Sequence, residues 1–437
     1  MTSRSLGFLP IPSEIAEQAL TLCHPRDVAA FAQTCRKARL LVYNSPDQYL
    51  WRQLFLLYPF DDPRTTKNGF RQDTRFDWTS QLQRRIRAET VARSSLPTPE
   101  DLLLTVETFL DVVLSASPVT RGCERVPSPS LLWVVDVLQS TNMLQSPSFT
   151  EQDTNPTLCR LRSYLALTLD EYDDDDEVGR QRLKALRTKS RCQVYDLRNY
   201  HSGNDWGPFL QAGVVDWAHV ECIINVLSSN LADLSGEWMD TRPPCGLEAT
   251  RAYSAPGATT LPPHDWAGVE GNWRRYVSFM DYRDFLGHNH GSHNGAFFEH
   301  THFAEATRLI ELKLRLIQPD AVPSYYTLDR FPDSKDPRYP TLYFQGSSWG
   351  VHGNEATVVG SVCMAGDGVV RWRFASVYEA HLQWSSEGVQ VGGVASATGI
   401  VGTWTGAHHE LRHIHCVIGP FWLWKVRDDH PSYMRSL

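Results

Sequence analysis

The feature that most constrains this chain is a change in the period of its apolar residues near position 233. Ahead of it they recur at helical spacing, over Leu102 to Leu114, Leu131 to Leu144, Leu158 to Leu169 and Val215 to Leu227. Beyond it the pattern alternates. Trp273 to Tyr282 is dense in strand formers, Thr341 to Phe344 is a second candidate, and Val370, Trp372 and Phe374 alternate with Arg371 and Arg373. Gly366-Asp367-Gly368 just before that stretch is a hairpin turn signal. His381 to Trp384, Val389 to Val391, Ile400 to Trp404 and Phe421 to Val426 supply further strands. One helix is expected among them, over about Phe303 to Ile317, because Leu309, Leu312 and Leu316 share a helical face. Many short strands with glycine turns point to an antiparallel barrel or sandwich, so the chain is expected to be α+β and multidomain.

Composition narrows the function classes. The formal net charge is −8, which argues against bulk nucleic-acid binding. Charge is uneven, with 14 Lys/Arg against 9 Asp/Glu over residues 1–95, a balance suited to an acidic protein partner. The nine cysteines are odd in number, widely spaced and free of any CxxC pair. That fits a reducing compartment rather than a disulfide framework or a zinc-thiolate site. No run of eighteen apolar residues and no charged-then-apolar leader occurs. The expectation is a soluble protein of the cytoplasm, the nucleus or both, with no membrane and no nucleic acid as partner.

Residues 9–58 form a compact helical unit by pattern. Ser13 is the expected N-cap, with Ile15, Ala19 and Leu22 at helical spacing, and Pro25 with Asp27 restarts the chain. Val28, Phe31, Ala32 and Cys35 follow at i, i+3, i+4 and i+7. Leu50, Trp51, Leu54 and Phe55 make a last stripe. Residues 60–80 are polar and read as a linker. Asp173-Asp174-Asp175-Asp176-Glu177 reads as a solvated acidic loop, lacking the spaced ligands of an EF-hand.

Within 9–58 the order Ile11-Pro12-Ser13-Glu14-Ile15, Leu20, Pro25-Arg26-Asp27-Val28, Thr34-Cys35-Arg36 and Leu50-Trp51-Arg52 resembles the F-box. Ile11 stands where Leu is usual, and Leu9-Pro10 offers a second register. The resemblance implies a three-helix module that docks on a Skp-family adaptor and through it a cullin. The adaptor contacts it implies are Ile11, Pro12, Ile15, Leu20, Val28, Phe31, Cys35, Leu40 and Trp51. Farther on, Trp266-Ala267-Gly268-Val269-Glu270-Gly271-Asn272-Trp273, Phe279 to Asp284, Gly399 to Trp404 and Gly419 to Lys425 are similar to segments of fungal-type F-box proteins. Such proteins, like the F-box-only relatives that recruit cyclin D, carry a C-terminal β-barrel after a helical connector. The implied layout is an F-box at 9–58, a connector at 80–232 and an antiparallel β-barrel at 233–437.

The expected function is therefore the substrate receptor of an SCF-type ubiquitin ligase, a non-catalytic adaptor that needs no cofactor. Candidate target-binding residues are the charged and polar groups in strand context, Arg274, Arg275, Asp281, Tyr282, Arg283, Asp284, Arg371 and Arg373, together with His409 and Glu410 after the strand ending at Trp404. His288, His290, His293, His300 and His302, with Glu299, form the densest polar cluster. It has the donor types of a metal site, but its glycines favour a polar loop. No G-x-S-x-G, P-loop or nucleophilic-cysteine signature is present. A second reading is a small-ligand-binding barrel whose F-box controls its own turnover, prompted by Gly236-Glu237-Trp238, which is similar to the opening of lipocalin-type barrels. A third is a metal-dependent oxygenase built on the histidines.

Overall fold

The computed structural model describes residues 11–432 apart from 46, 65–75, 121–125, 142, 146–148, 150–154, 167–176, 235, 292–294, 300–302, 304, 324–333, 335, 351–354 and 408–416. The chain divides into two compact units, one of 1–117 with 126–150 and one of 118–125 with 151–437. The stretch expected as a separate connector, 80–232, is shared between them.

The first unit is helical. Four short helices, α1 (Ser13–Leu20), α2 (Pro25–Ala32), α3 (Arg36–Tyr43) and α4 (Tyr49–Leu57), occupy the region where three were expected. Pro12, not Ser13, is the N-cap of α1, because a proline just ahead of the first turn has no N–H to leave unsatisfied. The stripe read on α4 is the core of this head: Leu50, Trp51, Leu54 and Phe55 are buried, and the Trp51 indole donates to the Val42 carbonyl at 2.8 Å. Three longer helices complete the unit, α5 (Trp78–Ala92), α6 (Pro99–Leu114) and α7 (Pro129–Gln139). Thr98 and Ser128 cap α6 and α7, each just ahead of a proline at the first helical position. Arg85 of α5 is buried between the rings of Phe55 and Phe60, 4.8 and 4.5 Å from their centres, and burial pulls its guanidinium down to about 10.

The second unit is a closed barrel preceded in sequence by the helices α8 (Pro156–Leu165), α9 (Glu177–Val194) and α10 (Trp217–Ala232). Helix α10 is apolar nearly all round and buried nearly all round. It packs on α8 and α9 and against the barrel wall. The barrel has eight antiparallel strands, β1 (Gly271–Met280), β2 (Glu305–Ile317), β3 (Leu342–Gly350), β4 (Glu355–Met364), β5 (Val370–Tyr378), β6 (His381–Gln390), β7 (Ile400–Gly406) and β8 (Ile418–Lys425). Each strand pairs with the next, and β8 closes on β1 with Arg275 opposite Leu423. The glycine turn read at 366–368 joins β4 to β5, with Gly368 at φ 76°.

Three expectations change here. The helix expected over 303–317 is strand β2. Its Ile310, Leu312, Leu314 and Leu316 alternate on the inner face, while Leu309 is buried on the outer face beneath α10, and that extra leucine imitated helical spacing. The strand read through Tyr282 ends at Met280, and Tyr282–His290 is a helix, α11, capped by the Asp281 carboxylate accepting from the Arg283 N–H. The barrel begins at Gly271, not 233; Gly236–Thr241, which contains the Gly-x-Trp, is a 3-10 turn well ahead of β1. The acidic run at 173–176 lies outside the described residues. No helix among the described residues is long and apolar enough to cross a membrane.

At the end where β1 starts and β8 finishes, hereafter the lower end, the interior is filled. Trp266, Val269, Trp273, Leu342, Phe344, Val362, Met364 and Trp372 pack there in one cluster. The Trp273 indole donates to the Val269 carbonyl and the Lys425 ammonium to the Gly268 carbonyl, both at 2.8 Å, which pins the 266–269 segment across the opening.

Candidate functional site

The helical head presents its apolar residues in two classes. Val28 and Trp51 are 0% and 1% exposed and belong to the head's own core, so they are not free to meet a partner. Leu20, Phe31 and Cys35 are half-buried, and the Cys35 sulfur also caps α3 by accepting from the Ala38 N–H at 3.4 Å. The third group stands out in solvent. Ile11, Ile15 and Leu40 are 48%, 59% and 49% exposed, and Pro12 is exposed with them. Leu22 and Tyr43 add to the same short stretch. Helix α1 packs on α3 and α4, so the head is folded while this set stays uncovered.

The strand residues singled out in the barrel divide differently. Arg274 lies on the outer face, 2% exposed, 3.6 Å from Glu311 and donating to the Pro431 carbonyl at 2.8 Å. Arg371 pairs with Asp367 at 3.2 Å and lies 4.7 Å over the Phe209 ring. Arg373 pairs with Glu387 at 2.5 Å and with Asp205 at 3.5 Å. These three hold loops and neighbouring strands to the wall, and reading a peptide would require breaking the pairs. Asp281 is a helix cap, and Tyr282, Arg283 and Asp284 lie on the first turn of α11. His409 and Glu410 lie outside the described residues.

Of the histidine cluster, only His288, His290 and the neighbouring Glu299 are described. His288 is buried on α11 against Phe297 and Phe298, its ring centre 5.8 and 4.8 Å from theirs. His290 is exposed at the end of that helix, and Glu299 is paired with Lys184 at 2.9 Å. His293, His300 and His302 lie outside the described residues. Glycine did not keep this stretch in a loop: Gly287 lies inside α11.

One feature escaped the sequence reading. The outer face of β2, β3 and β4 carries a groove of about 650 Å³ lined by Lys313, Arg315, Gln345, Ser347, Trp349, Glu355 and Thr357. Lys313 and Arg315 are exposed and make no ion pair among the described residues. They were hidden because β2 was expected to be a helix. Arg275, already among the strand candidates, points into the barrel and is 5% exposed. Its guanidinium lies 4.9 and 4.5 Å from the centres of the Phe374 and Phe421 rings and donates to the Ser386 hydroxyl at 2.8 Å. Burial pulls it down to about 9. A signal for its direction existed: it shares the parity of Trp273, Val277 and Phe279, the apolar face of β1.

Compared with protein-family models, curated proteins and solved structures, the chain matches none.

Proposed function

We propose that the protein is the receptor subunit of an SCF-type ubiquitin ligase, its helical head held by a Skp-family adaptor and its barrel unit holding the target. The observation that carries the reading is the exposed set Ile11, Pro12, Ile15 and Leu40. These side chains are among the adaptor contacts that the F-box resemblance implies, and they are left out of a core that the head has already completed with Val28, Leu50 and Trp51. Several exposed apolar side chains on one small folded module suit a partner that covers them. The groove on β2–β4 supports the other half. Two exposed cations beside the Trp349 indole suit an acidic segment carrying one bulky side chain. The protein itself would perform no bond chemistry. It would raise the concentration of target lysines near the charged ubiquitin carrier.

The test is binding of purified adaptor to the full chain by calorimetry. Ile15→Asp with Pro12→Ala is expected to weaken it at least about ten-fold, whereas Leu96→Asp, at a residue 90% exposed outside the motif, leaves it unchanged. Equal binding by both variants, or no binding by the wild type, ends the adaptor reading. For the other half, Lys313→Glu with Arg315→Glu is expected to change the proteins captured under proteasome inhibition without touching adaptor binding. An unchanged set removes the groove.

A further inference from the structure

The buried apolar cluster of the lumen runs up from the Trp266 plug to Phe421 and Trp404, and the rim above it differs from the lower end in exposure and in charge. Inward positions follow from the register: residues paired with Arg275, Val277 and Phe279 around the wall share their face. In the filled part of the lumen an added methyl group would collide. A Cβ on Gly346 would lie 2.0 Å from the Lys313 carbonyl oxygen, and one on Gly360 2.5 Å from the Phe374 Cβ. At the upper rim the inward glycines Gly350 and Gly406 have nothing among the described residues within 4 Å of such a Cβ, whereas Gly419, beside Trp404, is as crowded as the glycines below. Phe279, Ile310 and Trp384 face inward there and are still partly exposed. Trp404 joins them into an aromatic wall, its ring centre 5.0 Å from Trp384 and 6.4 Å from Phe279. Arg308 lies over Phe279 at the rim, 4.9 Å from the ring centre.

The charge is one-sided. The inward strand positions carry three cations, Arg275, Arg308 and Lys425, and no acidic residue. Lys425 is taken up by the lower plug. Arg275 is the one buried in the lumen: its described hydrogen bond goes to a neutral hydroxyl, and its Nε–H is buried with no acceptor. The Trp404 indole N–H, on the residue paired across the sheet with Ser386, is likewise buried without one. A buried cation facing only aromatic rings and a hydroxyl is costly unless an anion joins it.

We infer that the upper lumen is a binding site for a small apolar carboxylate, its body against Phe279, Trp384 and Trp404 and its carboxylate on the Arg275 guanidinium. A single guanidinium and few other donors suit one negative charge rather than a phosphate dianion. The planar fork of arginine matches a carboxylate. The aromatic wall takes an apolar or aromatic body. This inference does not rest on the adaptor reading, since no residue of the head takes part.

The experiment is calorimetric titration of the full chain with benzoate, naphthalene-2-carboxylate and decanoate, each beside its neutral alcohol. At least one acid is expected to bind about ten-fold or more tightly than its alcohol. Arg275→Met should remove that preference and leave the alcohol's affinity within about two-fold, while Arg275→Lys should keep part of it. Gly406→Leu fills the rim from another strand without touching Arg275 and should weaken acid and alcohol together; it carries the test should Arg275→Met fail to fold. The site is refuted by any of three results: no acid binding up to about 1 mM, equal affinity for acid and alcohol in the wild type, or acid affinity unchanged in both Arg275→Met and Gly406→Leu.

Discussion

Arg274 and Arg275 are consecutive on β1 yet belong to two regions with opposite electrostatic rules. On the outer face of the barrel wall, buried cations meet carboxylates: Arg274 with Glu311, and Arg373 with Glu387 and Asp205. In the lumen, Arg275 meets aromatic rings and one hydroxyl. The outer pairs tie loops to strands. Among the described residues the inner cation ties nothing of opposite charge, so stability alone does not account for it. The difference teaches that burial of an arginine does not identify its role; the charge around it does.

The comparison can be broken in order of expected effect. The largest should come from the outer face. Glu387 is buried, and Glu387→Gln, which leaves the half-buried Arg373 only its longer pair with Asp205, should cost about 3 kcal/mol in urea denaturation; a cost under about 1 kcal/mol would mean the outer pairs are not structural. Next comes Gly402→Ala, whose Cβ would sit 2.0 Å from the Glu387 carbonyl oxygen. A loss of about 2 kcal/mol is expected. Arg275→Met should be within about 1 kcal/mol of wild type, on the stabilising side, because it removes an uncompensated buried charge. Its pH dependence has a definite sign. Burial pulls the folded guanidinium down to about 9, well below the ordinary group, so above that pH the unfolded chain binds more protons and stability rises with pH. The stability of wild type relative to Arg275→Met should therefore climb above about pH 9, and a flat difference would contradict the lumen assignment. The smallest effect belongs to Gly406→Ala at the open rim, under about 0.5 kcal/mol by thermal melting.

Much of the fold was legible because period and punctuation agreed. On β5, Val370, Trp372 and Phe374 alternate with arginines and follow a glycine turn, and both signals name a hairpin strand. On α4 the four apolar residues of the stripe are the four that are buried. Strand β2 was not legible because tertiary packing gave it a second apolar face: Leu309 is buried by α10 from outside while Leu312 and Leu314 fill the lumen. Helix α11 was missed because its polar, glycine-containing sequence has little propensity of its own, and Phe285 and His288, the residues that bury it, are only two. The head residues were named from the F-box resemblance, but exposure divides them into Ile11, Pro12, Ile15 and Leu40 outside and Val28 and Trp51 inside. The eight polar candidates on strands included Arg275, and the parity it shares with Trp273, Val277 and Phe279 was legible, but only the closed register shows that this face is the inner one.

The closure of β8 on β1 has a consequence in time as well as in space. Trp273 pairs with Lys425, so the first strand waits for the last before either edge is satisfied. Until then two open strand edges rich in tryptophan are available to other chains. Contacts of such sequence separation fold slowly. During synthesis the helices α8 to α10 are complete long before the barrel can be, and α10, which packs against β2, β7 and β8, is the surface on which late strands can assemble.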